Sequence, residues 1–179
     1  ARARFLLTGN FMILAADNIN SMNPAVARAM EELDPAPVKE LASRCADSSA
    51  RLIDINPGYL SKRRIDRIEF LVETVQGVTD KRLILDSPDA AVLERGLRRC
   101  ARPPVLSALT LEDKKLDTIL PLAAERGLDL VLLLLDRDSV SPRSAEEKTA
   151  VALELWEHAT AAGLPAEKLI FDPVLPNMS

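Results

Sequence analysis

Aromatic residues are scarce in this chain: one Trp, one Tyr and four Phe among 179 residues. That leaves little to build the stacking platforms on which single-stranded nucleic acid is held. An excess of positive charge is missing too. Lys and Arg total 23 against 27 Asp and Glu, for a net charge of −4, whereas binding to the phosphate backbone needs a basic surface. Nucleic acid is therefore not expected as a partner. Cysteine and histidine are almost absent. Cys45, Cys100 and His158 are the full complement, in a spacing that fits no zinc pattern and no disulfide framework. A metal site built from His and Cys is excluded, and a reducing, cytoplasmic setting is the default. No apolar run approaches the roughly 20 residues of a membrane span. The opening Ala1-Arg2-Ala3-Arg4-Phe5-Leu6-Leu7 has some signal-peptide character, but Thr8-Gly9-Asn10 interrupts it, and a turn leading into a strand accounts better for it.

Glycine is sparse as well. Its six positions form neither Gly-x-Gly-x-x-Gly nor Gly-x-x-x-x-Gly-Lys, which removes the usual nucleotide signatures of an open α/β sheet. What is present suits a globular core: 47% of residues are hydrophobic and 28% charged, in a length typical of one domain.

Short apolar runs at residues 11–14, 52–55, 83–85, 105–106, 130–135 and 169–171 read as strands buried on both faces. Amphipathic helical patterns separate them. Asp34-Pro35 predicts an N-cap and first helical residue, with Val38, Leu41 and Cys45 on one face. Ile65, Ile68, Val72 and Val75 mark a second helix, and Leu93 and Leu97 a third that starts at Ser87-Pro88 and carries Cys100, which like Cys45 reads as a small buried apolar residue. A fourth begins near Leu111, with Leu116, Ile119, Leu120 and Ala123 inward, and stops before Gly127. A fifth follows Ser144, with Val151, Leu155 and Ala159 inward. Trp156 is expected to pack against the core, and His158 to sit at the end of its helix. Alternating βα units with right-handed crossovers make a doubly wound sheet or a TIM-type (β/α)₈ barrel. About six strands are accounted for, where a full barrel takes about 250 residues. Residues 1–179 therefore read as a single barrel domain that is incomplete at its C-terminal side. The natural protein is expected to continue by roughly 70–90 residues, or a partner chain to cover the opening.

Polar residues recur where these strands end. Asp17, Asn18 and Asn20 follow the first, Asp54 and Asn56 close the second, and Asp86, Ser107, Asp136 and Asp172 follow the others. In a parallel barrel these ends share the face that carries active sites. Aspartate after a strand also caps helices; it is the recurrence around a ring that points to a polar cup. An ionised carboxylate accepts two parallel hydrogen bonds from an amino group and a ring N–H. A pterin or guanine-like edge offers that pair, and the residues themselves leave the choice among polar heterocycles open.

In these stretches the chain resembles the pterin-binding barrel family, and most of all the methyltetrahydrofolate:corrinoid/iron–sulfur protein methyltransferases. The matching segments are Asp17-Asn18-Ile19-Asn20, Glu32-Leu33-Asp34-Pro35-Ala36-Pro37-Val38, Ile53-Asp54-Ile55-Asn56-Pro57-Gly58, Leu85-Asp86-Ser87, Glu94-Arg95-Gly96-Leu97 and Phe171-Asp172-Pro173. The resemblance implies a (β/α)₈ barrel that moves a methyl group from N5 of methyltetrahydrofolate to the cobalt of a cobalamin-type corrinoid carried by a partner protein. It also implies that Asp86 and Asp172 hold the pterin, with Ser107 where the family has Asn. Asp54, Asn56, Asn20 and Asp136 would line the mouth. A homodimer is expected, with no nucleic-acid or membrane partner. The alternatives are a dihydropteroate-synthase-like enzyme and a non-catalytic pterin-binding or scaffold barrel.

Overall fold

A computed structural model describes residues 12–174. Six strands form one sheet in the order β1-β2-β3-β4-β5-β6, every neighbouring pair parallel. They are β1 Ala15–Asn20, β2 Leu52–Asn56, β3 Arg82–Asp86, β4 Val105–Leu109, β5 Asp129–Leu133 and β6 Leu169–Asp172. The helices between them are α1 Pro24–Glu32, α2 Pro35–Asp47, α3 Arg67–Gln76, α4 Ala90–Leu97, α5 Asp113–Arg126 and α6 Ala145–Ala161. Sequential parallel pairing with a helix at each crossover is the wall of a TIM-type barrel, here with six strands.

The strand alternation sorts side chains into two layers. Ile53, Ile55, Leu83, Leu85, Leu106, Leu109, Leu130 and Leu132 face the helices and join Val38, Ile68, Leu71, Val72, Leu93, Ile119, Leu155 and Ala159 in the main core. Leu52, Ile84, Val105, Ala108 and Val131, with Leu133 and Ile170 against them, make a smaller cluster on the inner face. That inner layer fills the barrel floor, so the polar residues one inward step further along β2, β3, β4 and β6 must stand at the mouth, while β5 carries Leu133 at that level.

The helix signals hold in most places. The Asp34 carboxylate accepts from the Ala36 N–H at 3.0 Å with Pro35 first in α2, and Ser144 and Glu147 form a capping box on α6. Gly127 ends α5 in the left-handed conformation at φ 57°, as a C′ glycine should. At Gly96 the constraint is space. A Cβ there would lie 2.9 Å from Ile68 Cγ1 and 3.0 Å from Leu85 Cδ1, so α4 packs against α3 and β3 through bare backbone.

The structure differs from the sequence expectation in four places. The first strand is Ala15–Asn20; residues 12–14 are not strand, and residue 11 lies outside the described residues. Helix α1, capped by Asn23, has no counterpart in the sequence expectation, because its buried Val26, Ala29 and Met30 make only a short apolar stripe. Helix α4 starts after Asp89, which caps Ala91, while the Ser87 hydroxyl accepts from the Asp89 N–H one turn earlier. Cys100 lies beyond α4 in a loop, whereas Cys45 is buried in α2 as expected. Trp156 is partly buried in a surface cavity it shares with Leu134 and Phe171 on the helix side, and His158 sits in the last turn of α6. No helix among the described residues is long and apolar enough to cross a membrane.

Candidate functional site

Parallel register brings the polar strand ends to one level. Asn20 pairs with Asn56 across β1 and β2, Asp86 with Ser107 across β3 and β4, and Leu133 with Asp172 across β5 and β6. Asp54 stands opposite Ile84 on the neighbouring strand, one inward position below Asn56. Within the mouth, Asn56 Nδ2 donates to Asp86 Oδ2 at 2.9 Å, while Asn56 Oδ1 accepts from the Gly58 N–H at 2.9 Å. Asn56 is thereby fixed as a donor toward Asp86. Asn20 Nδ2 donates to the carboxylate and the carbonyl of Asp17, at 3.0 and 2.9 Å, and its Oδ1 receives the Met22 N–H. Asp17 therefore belongs with the cluster. A register irregularity between Ala16 and Ile19 lets Asp17 and Asn20 share one neighbourhood although they are three residues apart. Asn18 turns the other way, where its Oδ1 lies 3.8 Å from Cys45 Sγ on α2.

Electrostatics set two of these carboxyls apart. Burial, then the neighbouring Asp86 and Asp17 charges, push Asp54 up to about 8. Its Oδ1 is buried with no hydrogen-bond partner among the described residues. At neutral pH Asp54 is thus a neutral acid whose O–H can donate a hydrogen bond. Asp86 is also raised by burial, to about 6, with the Asn56 hydrogen bond and Lys115 pulling it down and Asp17 and Asp172 pushing it up. Asp86 is ionised at neutral pH and accepts. The two adjacent groups present opposite hydrogen-bonding character to a ligand in the barrel mouth.

Ser107 is buried at the same level, and its carbonyl accepts from the Ser87 N–H. Asp172 is exposed at the rim, and its Oδ1 accepts from the Val174 N–H at 2.9 Å. Asp136 is not gathered with them. Its Oδ1 accepts from the Asp138 and Val140 N–H groups, both at 2.9 Å, so it shapes the loop after β5. Lys115 carries no distinguishing signal in the sequence, because it sits inside a lysine pair on a helix, where solvated side chains are the rule. It is nearly buried, bonded to Glu112 Oε1 at 2.9 Å, and it is the cation that acts on Asp86. Among the described residues no group of His, Cys, Asp and Glu has the arrangement to hold a metal ion.

These residues make a cup with an apolar floor and a wall of carboxyl, carboxamide and hydroxyl groups, suited to a flat polar heterocycle. Comparison with known proteins agrees with that shape. The family described as pterin binding enzyme matches residues 19–176. The methylcorrinoid:tetrahydrofolate methyltransferase of Eubacterium limosum is 26% identical over 170 residues, which cover 94% of this chain and 62% of that protein. Among solved structures, a Yersinia pestis dihydropteroate synthase bound to a pterine-sulfa conjugate superposes with a TM-score of 0.60 at 23% identity, over 90% of this chain and 58% of that one. The 7,8-dihydropteroate synthase of Vibrio fischeri gives 0.61 at 16% identity, over 93% and 63%. The chain thus spans about three fifths of the length of these relatives.

Proposed function

The chain belongs to the pterin-binding enzyme family, and from that premise we propose that it binds a reduced folate in the barrel mouth for methyl transfer between pterin N5 and a corrinoid on a partner protein. Residues 1–179 are read as part of one pterin-binding barrel domain. The observation that carries the reading is the opposed pair at the mouth: Asp86, held by Asn56 and ionised, beside Asp54, buried and protonated. A pterin carries an amino group and ring N–H on one edge and acceptor atoms alongside, so it needs both an acceptor and a donor. The methyltransferase relative adds the reaction class.

In this reading Asp86 and Asp172 accept from the pterin's N–H groups, Ser107 offers one hydroxyl, and Asp54 and Asn56 line the floor and wall. The corrinoid supplies the cobalt that exchanges the methyl group. A tertiary amine leaves only when N5 gains positive character, so the protein's part is to orient the ring and favour a proton near N5. The relative's name writes the methyl group as moving toward tetrahydrofolate; the same transition state serves both directions, and a wall complementary to it accelerates both. The likeness to dihydropteroate synthases is one of fold.

Calorimetric titration with methyltetrahydrofolate tests the reading. The chain should bind it, and Asp172→Asn should weaken binding by about 2–3 kcal/mol, the scale of a charge-assisted hydrogen bond. Equal affinity in both proteins would reject Asp172 as a pterin contact, and no binding by either would reject the folate assignment.

A further inference from the structure

The short segment that carries Asp172 is held from three directions. Its main-chain carbonyl accepts from the Leu134 N–H at 2.9 Å, one residue past the last ladder pair of β5 and β6. Its Oδ1 accepts from the Val174 N–H, also at 2.9 Å. The third hold comes from a different element. Lys148, in the first turn of α6, donates from Nζ to the carbonyl of Pro173 and, at 2.8 Å, to that of Val174.

Two features separate this contact from a surface lysine that meets a stray acceptor. The first is the backbone it grips. Along an extended, pleated chain successive carbonyls point to opposite sides, so one ammonium cannot reach two in a row. Here Val174 stands at φ 48°, and this left-handed turn brings the Pro173 and Val174 carbonyls to the same lysine. A β-branched residue rarely adopts that conformation, and keeps it only where its surroundings over-determine it. The second feature is the lysine's own place. The N-terminal end of a helix disfavours a cation, and Glu146 and Glu147 fill the preceding positions as that end prefers. Lys148 stands against this rule with two carbonyl oxygens receiving its charge. It is half-buried and lines an apolar cavity with Leu134, Ala152, Trp156 and Phe171, where a methylene stem can lie while its charged tip reaches the end of β6.

We infer that Lys148 is the positioning residue for Asp172: by clamping the two carbonyls after it, Lys148 fixes the turn that sets where the Asp172 carboxylate points. With Oδ1 engaged by the Val174 N–H, Oδ2 is left for a ligand's N–H, and its direction follows the clamped turn. The inference rests on the folate reading above and adds to it a residue on the helix side of the wall that never touches the pterin.

The test titrates methyltetrahydrofolate into wild type, Lys148→Met, Lys148→Arg, Ser144→Ala, Asp172→Asn and the double variant Lys148→Met with Asp172→Asn. Methionine keeps the apolar stem and removes the donors, and arginine restores them. Ser144→Ala loosens the same turn of α6 without touching the clamp. Circular dichroism melts establish that each protein is folded at the titration temperature; Lys148→Gln, polar but too short to span both carbonyls, replaces the methionine variant if that one is not. Lys148→Met should lower affinity about tenfold, less than the loss of the Asp172 contact itself, and Lys148→Arg should return to within about threefold of wild type. In the Asp172→Asn background the same methionine change should matter by less than about twofold, because the carboxylate it aims is gone. Ser144→Ala should bind as wild type does. An equal loss in both backgrounds, no loss in Lys148→Met, an arginine variant as weak as the methionine one, or an equal loss in Ser144→Ala would overturn the positioning role and leave the pterin cup standing. If Asp172→Asn binds like wild type, Asp172 is not a pterin contact and the inference falls with that assignment. If wild type does not bind the probe, the folate reading fails and this inference with it.

Discussion

Replacing Asp54 with Asn should stabilise the folded chain at neutral and alkaline pH. Asp54 is pushed from its ordinary 3.8 to about 8, first by burial and then by Asp86 and Asp17. Between those two values the unfolded chain has released this proton and the folded chain still holds it. Stability therefore falls as pH rises through that window, by about 1.4 kcal/mol for each pH unit. Below the unfolded value the folded state suffers no loss from this residue, and above about 8 the loss is complete. From about pH 4 to about pH 7 the full linkage amounts to about 4 kcal/mol. Asp86 titrates beside it, at about 6, and part of the loss belongs to the pair, so about 2–4 kcal/mol is expected from Asp54 itself. Asparagine has nearly the same shape, cannot ionise, and can donate its amide N–H to the neighbouring carboxylates. Urea unfolding at about pH 5 and about pH 8 measures the effect, since the midpoint moves with stability while the slope stays fixed. Wild type should be clearly less stable at the higher pH, and Asp54→Asn should recover most of the difference. A smaller residual slope should remain below about pH 6 from Asp86. If wild type is equally stable at both values, or the variant gains nothing at the higher one, Asp54 is not held protonated and the donor–acceptor pairing is wrong.

Three further outcomes follow from particular contacts. Ser107→Asn should tighten binding of methyltetrahydrofolate, because an amide brings a separate donor and acceptor to a buried position at the mouth; weaker binding in the same titration would mean the site is shaped for another ligand. Gly96→Ala should destabilise by about 1–3 kcal/mol, because its methyl group would press on Ile68 and Leu85 within 3.0 Å; an unchanged thermal midpoint would show that α4 can move away. Ser144→Ala removes the hydroxyl that accepts from the Glu147 N–H at 3.1 Å and should cost about 1 kcal/mol in denaturant unfolding, with folate affinity untouched.

Much of the barrel wall was legible in the sequence because it depends on local chemistry. Continuous apolar runs such as that around Leu130 and Leu132 belong to strands covered on both faces, and Asp34-Pro35, Ser144 and Gly127 mark helix ends through their own side chains or lack of one. The ring of polar strand ends followed from the same alternation, since parallel strands carry their carboxyl ends to one side. What the tertiary structure decided is which of those residues meet. The irregular register of β1 brings Asp17 and Asn20 together and sends Asn18 to α2, and a one-residue slip reverses the face of every side chain beyond it. Asp136 and Asp172 look alike in sequence, yet two loop N–H groups claim Asp136, while Asp172 stands at the rim and acts on Asp86. The proton on Asp54 is likewise a property of the fold. A carboxyl takes its acidity from the dielectric and charges around it, and these arrive from β1 and β3, segments more than 25 residues away in the chain.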